Sequence, residues 1–215
     1  MKFEKGIHYS SYIRTELVEM LSCIKGRFFE VGCGTGATLE YLKSRGASYV
    51  AGIDINTNSI EIDAGRGLDI ALTGDVEKEE LSFKEKEFDC IILADVLEHL
   101  YNPWDTLKKL SPFLADKGYV LLSLPNIKHY SILRRLMFHD EWAYADAGIL
   151  DNSHIRFFTF KEIKGLLDYA GFKIIKVKCI NSSGHKMRLI NKLLFGKLDS
   201  FLAVQYYILA QKRLQ

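Results

Sequence analysis

The stretch FFEVGCGTG, residues 28–36, constrains this chain more than any other. Two phenylalanines, an acid and a valine read as a buried strand. Glycines then follow at every second position: Gly32, Gly34 and Gly36. A backbone with that freedom turns tightly and lets a ligand approach without Cβ clashes. A helix is expected next, with Leu39 and Leu42 inward and Gly46 as its stop. Its first amides point toward the same place, so the turn faces a partner.

The rest of the chain repeats this strand-then-helix rhythm. Strands are expected over 48–55, ending near Asp54, over 68–73 before Gly74-Asp75, over 88–94 and over 118–126. Asn102-Pro103 opens a helix, with Asn as cap and Pro in the first turn, and Pro112 breaks or kinks it. Ile13, Leu17, Met20, Leu21 and Ile24 predict a helix ahead of the glycine turn, and 56–64 a further one. Alternation of this kind implies right-handed crossovers and a largely parallel sheet covered on both faces. Two late strands, within 172–180 and 201–213, lack a crossover helix with its own core pattern, so an antiparallel pairing at the sheet edge is expected.

Length and composition set the outer bounds. A chain of 215 residues fits one domain spanning 1–215, elaborated by a substrate-side insertion at about 126–158. A net charge of +2 gives no general attraction to nucleic acid, and DNA is not expected as a partner. Cys23, Cys33, Cys90 and Cys179 show no CxxC spacing, which fits reduced thiols in a cytoplasmic protein. No apolar run approaches the roughly 20 residues of a spanning helix. Residues 181–199 mix Lys186, Arg188, Lys192 and Lys197 with Leu and Ile, a basic amphipathic helix. It reads as a surface helix on the sheet edge or, over 185–199, as a peripheral membrane contact.

Three acids decide what the turn faces. Ligands of open parallel sheets sit beyond the carboxyl ends of the strands. Glu30, Asp54 and Asp75 stand at three successive ends. A nicotinamide cofactor needs GxGxxG and places a diphosphate there. The order here is GCGTG, and Glu30 would repel a diphosphate. The pattern suits a cationic nucleoside: Asp54 for ribose hydroxyls, Asp75 for an adenine amino group, the Val76 amide for a ring nitrogen.

The segments ExGCGTG, GIDIN, GDVE, FDCIILADVLEHL and GYVLLSLPN, over roughly residues 25–126, resemble class I S-adenosylmethionine-dependent methyltransferases. The resemblance implies a Rossmann-like α/β fold: a seven-stranded, mostly parallel sheet of order 3-2-1-4-5-7-6, strand 7 antiparallel, helices on both faces. It implies S-adenosyl-L-methionine as cofactor. Glu30 and the glycine turn, Gly32, Cys33, Gly34 and Gly36, would hold its methionine part, Asp54 the ribose, and Asp75 with Val76 the adenine, with Ile55 and Asp95 as further cofactor-binding residues.

The acceptor side is expected beyond strand four. Asp95, Glu98 and His99 share one face if the segment is a helix. The run resembles the Glu-x-x-Glu-His segment of ubiquinone-biosynthesis O-methyltransferases and of small-RNA 2′-O-methyltransferases. That resemblance implies a magnesium or manganese ion held by Asp95, Glu98, His99 and a downstream histidine, His154. Asp95 replaces the first Glu of that pattern. His154 is also the first candidate for general base, with His99 in support; an unperturbed imidazole titrates near 6.5. Both histidines also have a plain structural reading, as hydrogen-bonded core or surface side chains.

Residues 124–172, with LPNIKHYSILRR and GILDNSHIRFFT, resemble bacterial methyltransferases associated with O-antigen, capsule or S-layer polysaccharide synthesis. A sugar hydroxyl of a glycan precursor is the acceptor this implies. His129, Tyr130, Arg134, Arg135, Trp142 and Tyr144 are either its stacking and phosphate contacts or a lid packed by aromatics. Tyr9 and Tyr12 are placed to close over the cofactor. The alternatives are a quinone precursor, an RNA 2′-hydroxyl, or a non-catalytic protein that keeps the cofactor. Base N-methylation is disfavoured, because Ala94-Asp95-Val96-Leu97 stands where an Asp/Asn-Pro-Pro-aromatic motif belongs.

Overall fold

The strand that enters the glycine turn lies at the centre of a seven-stranded sheet ordered β3-β2-β1-β4-β5-β7-β6. The structure is a computed structural model and describes residues 12–57, 67–181, 191–193 and 196–213. Along the chain come α1 (Thr15–Val18), β1 (Arg27–Val31), α2 (Ala37–Ser44), β2 (Tyr49–Asp54), β3 (Ile70–Thr73) and β4 (Phe88–Ala94). A 3-10 turn, Leu97–His99, leads to α3 (Pro103–Leu110), a second 3-10 turn (Ser111–Phe113) and β5 (Leu114–Pro125). Then follow α4 (Tyr130–His139), α5 (Phe160–Tyr169), β6 (Phe172–Asn181), α6 (Asp199–Leu202) and β7 (Ala203–Lys212).

Strands β1 to β5 pair in parallel, while β7 runs antiparallel to both β5 and β6. The expected order and the reversed seventh strand are both present. Period-two alternation sends neighbouring side chains to opposite faces. Phe29, Val31, Ile91 and Leu93 join one core with Leu107 of α3 and Ile163 and Leu166 of α5. Phe28, Cys90 and Ile92 join the other with Leu17, Leu39 and Leu42. Burying each such side chain contributes about 1.5–3 kcal/mol, so both faces must be covered before the sheet is stable.

Local signals fix the helix ends. Asn102 accepts from the Asp105 amide at 3.2 Å, with Pro103 in the first turn of α3. Pro112 falls in the 3-10 turn that closes that helix. Thr159 and Glu162 form a reciprocal capping box on α5.

One expectation changes. The N-terminal helix is one turn, Thr15–Val18, though Leu17, Val18 and Met20 are still buried against the sheet. A single turn suffices because tertiary burial, not helix length, holds the segment. The insertion at 126–158 contains α4, capped by the His129 side chain. Trp142 packs edge-on against Phe157, ring centroids 5.3 Å apart.

The helix expected over 56–64 and the basic helix over 181–199, with its proposed membrane contact, lie largely outside the described residues, as does Tyr9. Among the described residues no helix is long and apolar enough to cross a membrane. The four cysteines are free thiols.

Candidate active site: two clefts and one shared wall

At the carboxyl ends of β1, β2 and β4 lies a cleft of about 410 Å³. Gly32, Gly34 and Gly36 all have positive φ, 70°, 55° and 69°. At Gly32 the turn is crowded as well as left-handed: a Cβ there would lie 2.7 Å from Val96 Cγ2. Glu30, 3% exposed, forms part of the cleft floor. The Asp54 carboxylate accepts from the Gly34 amide at 2.8 Å and from the Asn56 amide at 2.8 Å. A carboxylate oxygen has more than one acceptor site, so Asp54 can also meet a diol.

Asp75 lies across the cleft. Its Oδ1 accepts from the Glu77 amide at 3.0 Å and its Oδ2 pairs with exposed Lys78 at 2.6 Å. Burial raises its pKa, but the Lys78 hydrogen bond and the Glu77 amide together outweigh that, and the net direction is down. Cys33, Ile55, Val76 and Asp95 complete the expected lining, whereas Gly36 is not part of it and serves to start α2.

Sequence reasoning missed several neighbours. Arg14 enters the cleft from the segment before α1, and exposed Tyr101 arrives from the loop before α3. Tyr12 does line the cleft.

Asp95 is where the helix-face expectation fails. Its φ is 56°, a left-handed residue that breaks the chain between β4 and the 3-10 turn. Asp95, Glu98 and His99 therefore do not share one α-helical face. The Asp95 carboxylate turns to Arg14 (2.8 Å), to the Ser123 hydroxyl (2.7 Å) and to the Gln205 amide. This corrects the four-ligand grouping: the potential ligand cluster is Glu98, His99 and His154, without Asp95.

Those three residues have ligand atoms within 4.8 Å of one another. The Glu98 carbonyl accepts from the Ile155 and Arg156 amides at 2.9 and 3.0 Å, and Arg156 reaches the Tyr101 carbonyl. Residues 153–156 are thereby stitched to the turn after β4, which brings His154 to Glu98 across 56 positions of chain (154 minus 98). Glu98 and His154 are 1% and 7% exposed, with His154 Nε2 4.0 Å from Glu98 Oε1. His154 Nδ1 lies 3.0 Å from the Ile149 carbonyl and His99 Nδ1 3.0 Å from the Ser153 carbonyl. A carbonyl only accepts, so each Nδ1 carries the proton, and Nε2 of each neutral ring carries the lone pair.

A second cleft, about 420 Å³, opens on the other side of this turn. Glu98 and His154 line it, while His99 and Ser153 line the first cleft, and Asp95 touches both. The short 95–99 segment is thus a wall with one ligand space on each side.

This sheet order, with its reversed β7, gives the chain the fold of solved S-adenosylmethionine-dependent methyltransferases. The family described as "Methyltransferase domain" matches residues 7–177, and the chain belongs to it. A crystal structure of an S-adenosylmethionine-dependent methyltransferase from Archaeoglobus fulgidus superposes with TM-score 0.67 at 20% identity, covering 98% of this chain and 96% of that one. One from Mesorhizobium loti gives 0.65 at 16%, covering 96% and 100%. A ubiquinone biosynthesis O-methyltransferase of Paracidovorax citrulli is 27% identical over 129 residues, 57% of this chain and 53% of its own length. An uncharacterized protein of Methanocaldococcus jannaschii is 28% identical over 155 residues, 71% of this chain and 67% of its own. The chain therefore spans about half the length of the ubiquinone relative it matches.

Proposed function

We propose that this methyltransferase moves a methyl group to a hydroxyl of a small molecule, with the donor in the first cleft and the acceptor in the second. The observation that carries this reading is the Glu98, His99, His154 cluster set in the wall between the two spaces. The donor-side residues fit a cationic nucleoside: Glu30, Asp54 and Asp75 put three carboxylates in one cleft. In this reading Asp54 holds the ribose, Asp75 and Val76 the adenine, and Glu30 with the glycine turn the amino-acid part.

The bound donor supplies a sulfonium methyl: the new C–O bond forms as the C–S bond breaks, its electron pair staying on sulfur. His154 takes the hydroxyl proton at Nε2, because its Nδ1–H is committed to Ile149. Glu98 beside it stabilises the imidazolium that results. Asp95 lines both clefts, so donor and acceptor meet past it, and their alignment there supplies the larger part of the rate gain in a displacement whose leaving group is already good. A sugar hydroxyl of a surface-glycan precursor is the acceptor class we favour, on the resemblance of residues 124–172 to glycan-associated methyltransferases. The location that goes with this acceptor is the cytoplasm.

A second reading has its own support. Two imidazoles and a carboxylate form a donor set suited to a divalent ion, and nitrogen donors favour manganese over magnesium. Glu98, His99 and His154 would hold it, and its chemistry there is to lower the acceptor hydroxyl's pKa. The ubiquinone biosynthesis relatives direct this reading to a quinone precursor. The two readings give His154 different work, base in one and ligand in the other.

The test is turnover. Purified protein with labelled S-adenosylmethionine and separate panels of sugars and catechols should transfer label to oxygen, with the position read by NMR. Label found on nitrogen or carbon, or no transfer to any hydroxyl, would overturn the O-methyl reading.

A further inference from the structure

Asp95 is held from three sides. Its Oδ2 pairs with Arg14 at 2.8 Å, and its Oδ1 accepts from the Ser123 hydroxyl at 2.7 Å and from the side-chain amide of Gln205. The Ser123 oxygen also accepts from the Asp95 amide at 3.0 Å, so Arg14 and Ser123 already anchor the corner after β4. Gln205 is the third residue of β7, pairs with Pro125 of β5 and lines the second cleft. Pro125, Ile149 and Val204 line the same cleft, so packing alone gives no reason for a carboxamide there.

A carboxylate only accepts, so the Gln205 amide nitrogen faces Asp95 and the planar group turns its Oε1 away. Among the described residues nothing donates to that oxygen. Ordering a glutamine costs side-chain entropy, and a carboxylate already met by an arginine and a hydroxyl does not require it. The contact is better explained in the other direction: Asp95 sets which way the Gln205 carbonyl points.

We propose that Gln205 determines acceptor specificity: its Oε1 accepts from a hydroxyl of the acceptor other than the one methylated, and Asp95 is the positioning residue that fixes the amide. The inference rests on the O-methyl reading above and deepens it for the same site. His154 lines this cleft too, so the acceptor is held at two points and one of its several hydroxyls is turned toward the donor. A carbonyl placed to take one hydroxyl also discriminates against analogues that lack it.

The experiment crosses a side-chain deletion with a substrate deletion. Catechol is compared with phenol, and methyl glucoside with its monodeoxy analogues, in the wild-type enzyme and in Gln205→Met, which keeps the length and loses the amide. The wild type should disfavour the member lacking the recognised hydroxyl by about tenfold in kcat/KM, the scale of one hydrogen bond. Gln205→Met should raise KM for its fully hydroxylated partner by about the same factor, with kcat within about twofold, and leave the deleted member unaltered. Discrimination within the pair then disappears. S-adenosylhomocysteine affinity should stay at the wild-type value, since Gln205 lines the second cleft and not the first. Equal losses for both members of every pair, or weakened S-adenosylhomocysteine binding, would make Gln205 a prop for Asp95 and overturn the proposal. Methyl on oxygen with discrimination unaltered in Gln205→Met removes only the role of Gln205. Methyl on the oxygen of no member removes the O-methyl reading and this proposal with it.

Discussion

The Gly34 amide donates to Asp54 Oδ2 over 2.8 Å, tying the turn after β1 to the end of β2. One carboxylate therefore shapes the glycine turn and faces the cleft. Hydrogen bonds to a charged group contribute about 1.5–3 kcal/mol each. Asp54→Ala should weaken S-adenosylhomocysteine binding by at least a hundredfold in calorimetry, because the turn contact and the proposed ribose contact would fail together. Asp54→Asn, with one acceptor oxygen, should fall between. Unaltered affinity in the alanine variant would remove Asp54 from the donor site.

Gly32 is held at φ 70° under Val96. Gly32→Ala should lower stability by about 1–3 kcal/mol through overpacking, with a further ~1–2 kcal/mol from the left-handed backbone. Val96→Ala added to it should restore the first part and not the second. A double-mutant cycle in urea measures the coupling; simple additivity would contradict the predicted clash.

His154→Ala should leave S-adenosylhomocysteine binding intact and slow turnover by about two to four orders of magnitude if His154 is the base. Stopped assays with saturating acceptor check this. Full activity in that variant excludes His154 from the chemistry.

Chelation separates the two readings of the same cluster. Under the metal reading, activity falls on EDTA treatment and returns with Mn²⁺ more fully than with Mg²⁺, and Glu98→Gln abolishes the return. Under the base reading, EDTA leaves the rate unaltered.

His129 gives a pH signature of the fold. Burial lowers its pKa below the ordinary value of 6.5. The unfolded chain therefore binds more protons than the folded one between the folded value and about 6.5. Stability should rise with pH through that window, stay level for this group above it, and fall as pH drops below about 6.5. His129→Asn retains a capping side chain and should flatten that slope in denaturant melts taken at several pH values. An identical slope would assign the acid sensitivity elsewhere.

The legible parts of this protein were local or periodic. FFEVG announces a strand by burial and a turn by glycine, and TFKE announces a cap by spacing. The acids at strand ends carry their meaning because a parallel sheet lines those ends up along one edge. Asp95 shows the limit. Its left-handed φ is invisible in sequence because aspartate is among the few residues that adopt it cheaply. Spacing alone therefore suggested a helix face where the chain makes a corner. Its partners Ser123 and Gln205 lie 28 and 110 positions away, and only the sheet's strand order brings them together.

Reversal of β7 has a practical corollary for anyone handling this molecule. Pro125 pairs with Gln205 and Tyr119 with Gln211, so β7 begins at the reactive rim and finishes on the opposite one. A fluorophore or affinity handle joined beyond Lys212 would emerge far from both clefts, whereas a graft just ahead of Ala203 would sit on the doorstep of the second one, which Val204 and Gln205 line, and re-tailor what it admits.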